Sequence, residues 1–160
     1  MKKIYFAAPL FSAAERKFNE VLAGRLETVG FDVFLPQRDG VEGDRAPYKD
    51  MDAQTRRQAM FELDRDRILE ADIFLIILDG RVPDEGACVE LGIAYAQRYI
   101  ERNGKLLIGL HTDNRAAFIG SKLNPMLKVP LDDIFDSEEE LLDFLKDADG
   151  GTTIAENHLP

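Results

Sequence analysis

Six consecutive apolar residues, Ile73-Phe74-Leu75-Ile76-Ile77-Leu78, lead into the loop Asp79-Gly80-Arg81-Val82-Pro83-Asp84-Glu85-Gly86 and a small-residue run to Ala94. No other stretch constrains the fold as much. An unbroken apolar run of this length, bounded by turn residues, is the pattern of a strand covered on both faces. Such strands belong to parallel sheets flanked by helices. In open α/β folds, ligands bind outside the carboxyl ends of the strands, so this stretch puts acids where such a fold places its chemistry. Glu90 lies just inside the expected helix, with Gly86, Ala87 and Ala94 as small neighbours. A substrate can approach a carboxylate in that setting.

The rest of the chain extends the same alternation. Lys3 to Ala8 reads as a first strand, and Ser12-Ala13-Ala14-Glu15 as a capping box opening a helix. Phe18, Val21, Leu22, Leu26 and Val29 then recur at helical spacing until Gly30 stops them. Phe31 to Leu35 is a second strand, closed by Pro36, and 37–50 a long loop of glycines, Pro47 and charges. Met51 to Ala71 reads as a helix with Met60, Leu63 and Ile68 inward, followed by the strand 73–78 and a helix over 86–102. Lys105 to His111 is a further strand, 112–130 is irregular with Gly120, Pro125 and Pro130, and Ser137-Glu138-Glu139-Glu140 opens a last helix. The β-α-β-α-β-α-β order calls for a parallel sheet with helices on both faces. No Gly-x-Gly-x-x-Gly follows the first strand. A flavodoxin-like sheet of at most five strands, ordered 2-1-3-4-5, is therefore expected rather than a dinucleotide fold. Residues 1–160 read as one domain, with 149–160 as a C-terminal tail of little pattern.

A net charge of −10 opposes approach to nucleic-acid backbones and anionic membranes and suits a neutral small molecule better. The apolar start Met1–Phe6 is too short for a signal peptide and breaks at Pro9, and no run reaches the roughly 18 apolar residues of a membrane span. The cytoplasm is the expected location. A lone cysteine, Cys88, allows neither an internal disulfide nor a cysteine zinc cluster, and reads as a buried small residue. His111 and His158 have no Ser or Cys partner at a readable spacing. No metal and no cofactor is implied.

In a 2-1-3-4-5 sheet, strands one and three are central and their carboxyl ends share a crevice. Tyr5 and the loop Ala7 to Phe11 then approach Asp79, Asp84 and Glu90. Carboxylates without a metal suit acetal-like centres, where one acid attacks or stabilises an oxocarbenium ion and another group handles the leaving-group proton. Glu90 is the candidate nucleophile, although a glutamate in a first helical turn also favours the macrodipole. Pro-Asp-Glu-Gly around Asp84 is ordinary turn chemistry. Asp79 can simply cap its loop, Tyr5 can be core, and Asp64 can sit on a solvated helix face. Position and spacing leave both roles open at each.

Asp84-x-Gly86-x-x-x-Glu90-Leu91-Gly92-x-Ala94, together with Ile4-Tyr5-Phe6, Asp64 and Asn124-Pro125-Met126, resembles the nucleoside 2-deoxyribosyltransferases, from residue 3 to about 145. The resemblance implies that Glu90 attacks the anomeric carbon of a 2′-deoxynucleoside and carries the deoxyribosyl group. It implies that Tyr5 holds and tunes that glutamate, that Asp84 binds near the sugar hydroxyls, and that Asp64 helps protonate the leaving base. Asn124 and Met126 would reach a neighbouring subunit's site, the asparagine to the sugar 5′-hydroxyl, in a homo-oligomer such as a hexamer built from dimers. Phe11 and Gly86 would border the substrate, and Gln37 and Asp39 the base pocket. The partners implied are 2′-deoxynucleosides and free nucleobases, and the role implied is salvage of bases. Loop 37–50 and the neighbour's 120–127 would keep water from the intermediate.

One departure separates this chain from the related 2′-deoxynucleoside 5′-monophosphate N-glycosidases. Ala7-Ala8-Pro9-Leu10-Phe11 is not a glycine-rich, arginine-bearing phosphate loop, and Pro9 lacks an N–H. That favours a nucleoside over a nucleotide. A receiver-like signalling domain would need an acidic pair after strand one, and Phe6 to Leu10 carries no acid. A nucleoside-binding module without activity is the remaining alternative.

Overall fold

The computed structural model describes residues 1–113 and 123–149. Gly120, His158 and the expected tail from Gly150 onward lie outside the described residues. Five parallel strands form one sheet in the order β2-β1-β3-β4-β5: β1 Lys3–Ala7, β2 Asp32–Phe34, β3 Ile73–Ile77, β4 Leu106–Leu110 and β5 Asp133–Phe135. The crossovers are made by α1 Ala13–Thr28, α3 Ala53–Glu70 and α4 Glu85–Glu101, and α6 Glu138–Asp149 follows β5. Two short helical segments, α2 Pro36–Asp39 and α5 Pro125–Lys128, lie in connections expected to be irregular, as does a single 3-10 turn at Tyr48–Asp50.

Sheet position explains sequence character. Every residue of β3 is buried, because β1 and β4 flank it and helices cover both faces. Alternation along β1 divides the core in two. Ile4 and Phe6 join Leu22, Leu26, Leu141 and Leu145 beneath α1 and α6. Tyr5 and Ala7 face the other way, with Phe74, Ile76, Ile68 and Leu91 beneath α3 and α4. At Gly109 a Cβ would meet Leu78 Cδ1 at 2.8 Å and Leu131 Cδ1 at 3.1 Å, so only glycine lets these leucines close over β4. The capping box at α1 is present: the Ser12 hydroxyl accepts from the Glu15 N–H at 3.1 Å, and Glu15 Oε2 accepts from the Ser12 N–H at 2.6 Å. No helix among the described residues is long and apolar enough to cross a membrane.

The expected five-stranded order 2-1-3-4-5 is present, but the sequence does not locate its fifth strand, Asp133-Ile134-Phe135, because three residues at a sheet edge are too few to display a period. Of the residues expected to face inward from α3, Ile68 is fully buried, Leu63 half-buried and Met60 exposed.

Candidate active site

Tyr5 is central to the site. Strand register places Phe34 and Phe74 directly beside it, on β2 and β3. Its ring stacks between theirs, with centroids 5.7 Å away on each side and planes within 20° and 7°. The ring is fully buried, and its hydroxyl donates to Glu90 Oε1 at 2.8 Å. Among the described residues Tyr5 is the hydrogen-bond donor to Glu90. Glu90 reaches it from the second turn of α4, which begins just beyond the end of β3.

Charge is concentrated here with one sign. Burial pushes the Glu90 carboxyl up to about 7; the Tyr5 hydrogen bond opposes this, and the Asp64 and Asp84 charges add to it. Burial alone pushes Asp64 up to about 6. The Tyr5 phenol is raised far above its ordinary value, by burial first and then by the Glu90 and Asp64 charges, so it stays a proton donor. Three acids from two helices therefore act on one another above β1 and β3. Asp84 is also the N-cap of α4, its Oδ2 accepting the Ala87 N–H at 2.9 Å. A Cβ at Gly86 would stand 3.1 Å from that same oxygen, so the glycine leaves the carboxylate open.

The other residues singled out from the sequence are placed differently. Phe11 is 74% exposed, and its N–H donates to Glu15 Oε2 at 3.0 Å. Gln37 is tied at both ends: its carbonyl accepts from Asn19 Nδ2 at 3.0 Å, and its Nε2 donates to the Arg16 carbonyl at 2.8 Å. Asp39 accepts the Leu35 N–H at 2.9 Å and pairs with Arg38. Neither Gln37 nor Asp39 is hydrogen-bonded to Tyr5, Asp64, Asp84 or Glu90. Asn124 caps α5, its Oδ1 accepting the Met126 N–H at 2.9 Å, and Met126 is 79% exposed. Asp79 binds the Thr112 N–H and hydroxyl, each at 2.6 Å, and the Asp113 N–H at 3.0 Å, linking the ends of β3 and β4. Sequence reasoning missed Phe34 and Phe74 as the rings flanking Tyr5. Their shared register with Tyr5 was the available signal.

A carboxylate held by a buried phenol, beside a second carboxyl that binds its proton near neutrality, can attack an electron-poor carbon while protonating a leaving nitrogen. Comparison with known proteins identifies the family and the fold. A family profile described as Nucleoside 2-deoxyribosyltransferase matches residues 4–159. Among solved structures, a conserved protein from Enterococcus faecalis V583 is 28% identical with a TM-score of 0.69, the match covering 92% of this chain and 99% of that one. A 2-deoxyribosyltransferase from Bacillus psychrosaccharolyticus is 23% identical with a TM-score of 0.66, over 88% of this chain and 90% of that one, and shows the shared fold. A CMP N-glycosidase from Clostridium botulinum is 25% identical with a TM-score of 0.52, over 92% and 99%. No curated protein matches the chain.

Proposed function

The chain belongs to the nucleoside 2-deoxyribosyltransferase family, and on that basis we propose that it moves a 2-deoxyribosyl group from one nucleobase to another through a covalent intermediate on Glu90. The observation that carries this reading is the 2.8 Å hydrogen bond from the buried Tyr5 hydroxyl to Glu90. Glu90 attacks the anomeric carbon through its other oxygen. The bond to the base nitrogen breaks, its electron pair goes to the base, and Asp64 supplies the proton. A second base then attacks the anomeric carbon, its N–H proton passing to the Asp64 carboxylate as the bond to Glu90 breaks and its electron pair returns to that carboxylate, and two inversions return the original anomer.

Burial raises both Glu90 and Asp64, and the reaction needs Glu90 ionised while Asp64 keeps its proton. Positive charge growing on the sugar favours the Glu90 anion, which Tyr5 already stabilises. A carboxylate at Glu90 in turn raises Asp64, because neighbouring acids titrate as a coupled pair. A 2-deoxy sugar lacks the electron-withdrawing 2′-oxygen, so one carboxylate with assisted departure of the base suffices. Asp84 lies beside the sugar hydroxyls, with Gly86 leaving it room.

Phe11 borders the substrate from the loop after β1. Asn124 and Met126 complete a neighbouring subunit's site in a homo-oligomer. The exposed apolar residues Val89, Tyr99 and Ile100 on α4, the helix that bears Glu90, support such an assembly. Gln37 and Asp39 shape the base pocket through the backbone they anchor.

A hydrolytic reading, release of a base from a nucleotide, has in its favour the likeness to the CMP N-glycosidase. Against it, Glu15 already occupies the Phe11 and Ser12 N–H groups at the start of α1. A 5′-phosphate would need such donors and would meet a carboxylate instead.

The test is to incubate the protein with a 2′-deoxynucleoside and a different free base. An exchanged nucleoside is expected, and Glu90→Ala should abolish it. Undiminished exchange in that variant would sink the mechanism. Free sugar phosphate released from a 5′-monophosphate, with no exchange, would establish the hydrolase instead.

A further inference from the structure

We propose that Asn19 is a positioning residue for the nucleoside site: it clamps together the connections that follow β1 and β2. This rests on the nucleoside reading above and deepens it. Tyr5 of β1 and Phe34 of β2 are paired in register and their rings stack. Shortly beyond those rings each strand gives way to a connection, Ala8 to Ser12 after β1 and α2 after β2. The first carries Phe11 and the second Gln37. Asn19, on α1, reaches both. Its Nδ2 donates to the Pro9 carbonyl at 2.9 Å and to Gln37 Oε1 at 3.0 Å, so both protons of one amide join the two connections.

Side chains of α1 bind the backbone of residues 9–12. Glu15 accepts the Phe11 and Ser12 N–H groups. Arg16 Nη1 donates to the Leu10 and Phe11 carbonyls at 3.2 and 3.1 Å, and Asn19 takes the Pro9 carbonyl. Gln37 closes the circuit, its Nε2 donating to the Arg16 carbonyl at 2.8 Å. Arg16 is exposed and Glu15 half-buried, whereas Asn19 is only 2% exposed. Water cannot compete for its two bonds, and leaving them unmade would cost most there. The other buried residues of α1 are Leu22, Ala23 and Leu26. A polar amide among them carries a desolvation cost that an apolar side chain would avoid, and its donors are spent on the connections and not on the core.

Tyr5 and Glu90 are held by a strand and a long helix, so attack on the anomeric carbon does not depend on the clamp. Phe11 and α2 do depend on it. Without the amide they move, the nucleoside is held less well, and water reaches the covalent intermediate. Water then attacks the anomeric carbon in place of the second base, its proton passing to the Asp64 carboxylate. The electron pair of the broken bond returns to Glu90, and free 2-deoxyribose leaves.

Two variants test the assignment. Asn19→Leu keeps a branched side chain suited to the surrounding core but bonds neither connection. Gln37→Met, at a half-buried position, breaks only the arm from Asn19 to Arg16. With a 2′-deoxynucleoside donor, Asn19→Leu should raise the donor KM about tenfold or more, as misplaced substrate contacts do, with little change in kcat for donor cleavage. The ratio of free 2-deoxyribose to exchanged nucleoside should rise with it, and Gln37→Met should shift both quantities the same way by less. A lower melting temperature in Asn19→Leu with wild-type KM and product ratio would make Asn19 a packing residue and overturn the proposal. If Asn19→Leu does not fold, Gln37→Met decides: a wild-type KM and ratio there overturn the proposal, and a shift in both supports it. Failure of the wild type to cleave any 2′-deoxynucleoside would instead defeat the nucleoside reading, and this proposal with it.

Discussion

At Tyr5 one side chain serves both sheet and site: its ring fills the core between Phe34 and Phe74, and its hydroxyl tunes Glu90. Tyr5→Phe separates the two. The ring stays, so thermal stability should change little, but Glu90 loses the hydrogen bond that holds its pKa down. The acid limb of kcat/KM against pH should move upward, above the value of about 7 carried by Glu90, with activity about 10- to 100-fold lower. An unmoved limb would show that Glu90 need not be ionised. Glu90 also makes a stability prediction. Its folded pKa lies above that of an unfolded glutamate, so the native state binds more protons between about pH 4 and pH 7 and stability falls as pH rises through that window. Glu90→Gln cannot ionise and still accepts from Tyr5. It should be more stable than wild type at pH 8, on the order of 2 kcal/mol, and no more stable at pH 4, as thermal melts at the two values would reveal. Such roles are invisible in a linear sequence. Glu90 as a capping-region acid and Glu90 as a half-buried, phenol-bound acid have the same neighbours along the chain, and only folding adds the desolvation that distinguishes them.

Elements decide how firmly these groups are held. Phe34, Tyr5 and Phe74 form an aromatic row across three strands, and Arg67 covers the outer face of Phe34 with its guanidinium 5.6 Å from the ring centre. Phe34→Leu should cost about 1 kcal/mol of stability from the lost ring pair. It should also shift the same acid limb as Tyr5→Phe, by less, because Tyr5 gains freedom to swing from Glu90; a pure stability loss with an unmoved limb would limit Phe34 to packing. Asp79→Ala should cost roughly 2 kcal/mol by removing three hydrogen bonds to one carboxylate, measured by denaturant unfolding. Long elements were legible because burial imposes a period. β3 announced itself as an apolar run and α1 by its cap. The fifth strand was too short to show a pattern, and in α3 the half-buried Asp64 lies one turn from the buried Ile68, a polar residue that hydrophobic spacing passes over.

At the scale of the molecule, charge and exposed apolar surface pull in opposite directions. A net charge of −10 repels a second copy, while Val89, Tyr99 and Ile100 on α4 present apolar area. Association should therefore tighten with salt as screening increases. Ile100→Glu should lower the sedimenting mass and activity together, and full activity in a monomeric variant would argue against a shared site. By itself the sequence determined the class of fold and the strand order, because periodicity and turn chemistry are local and survive in one dimension. Only the tertiary structure decided what each acid experiences. Glu90 is raised because burial and two other carboxylates meet it, Asp79 is occupied in joining two strand ends, and Gln37 and Asp39 are bound by their own surroundings. Desolvation and pairing depend on residues distant in the chain, and they exist only once the sheet has brought those residues together.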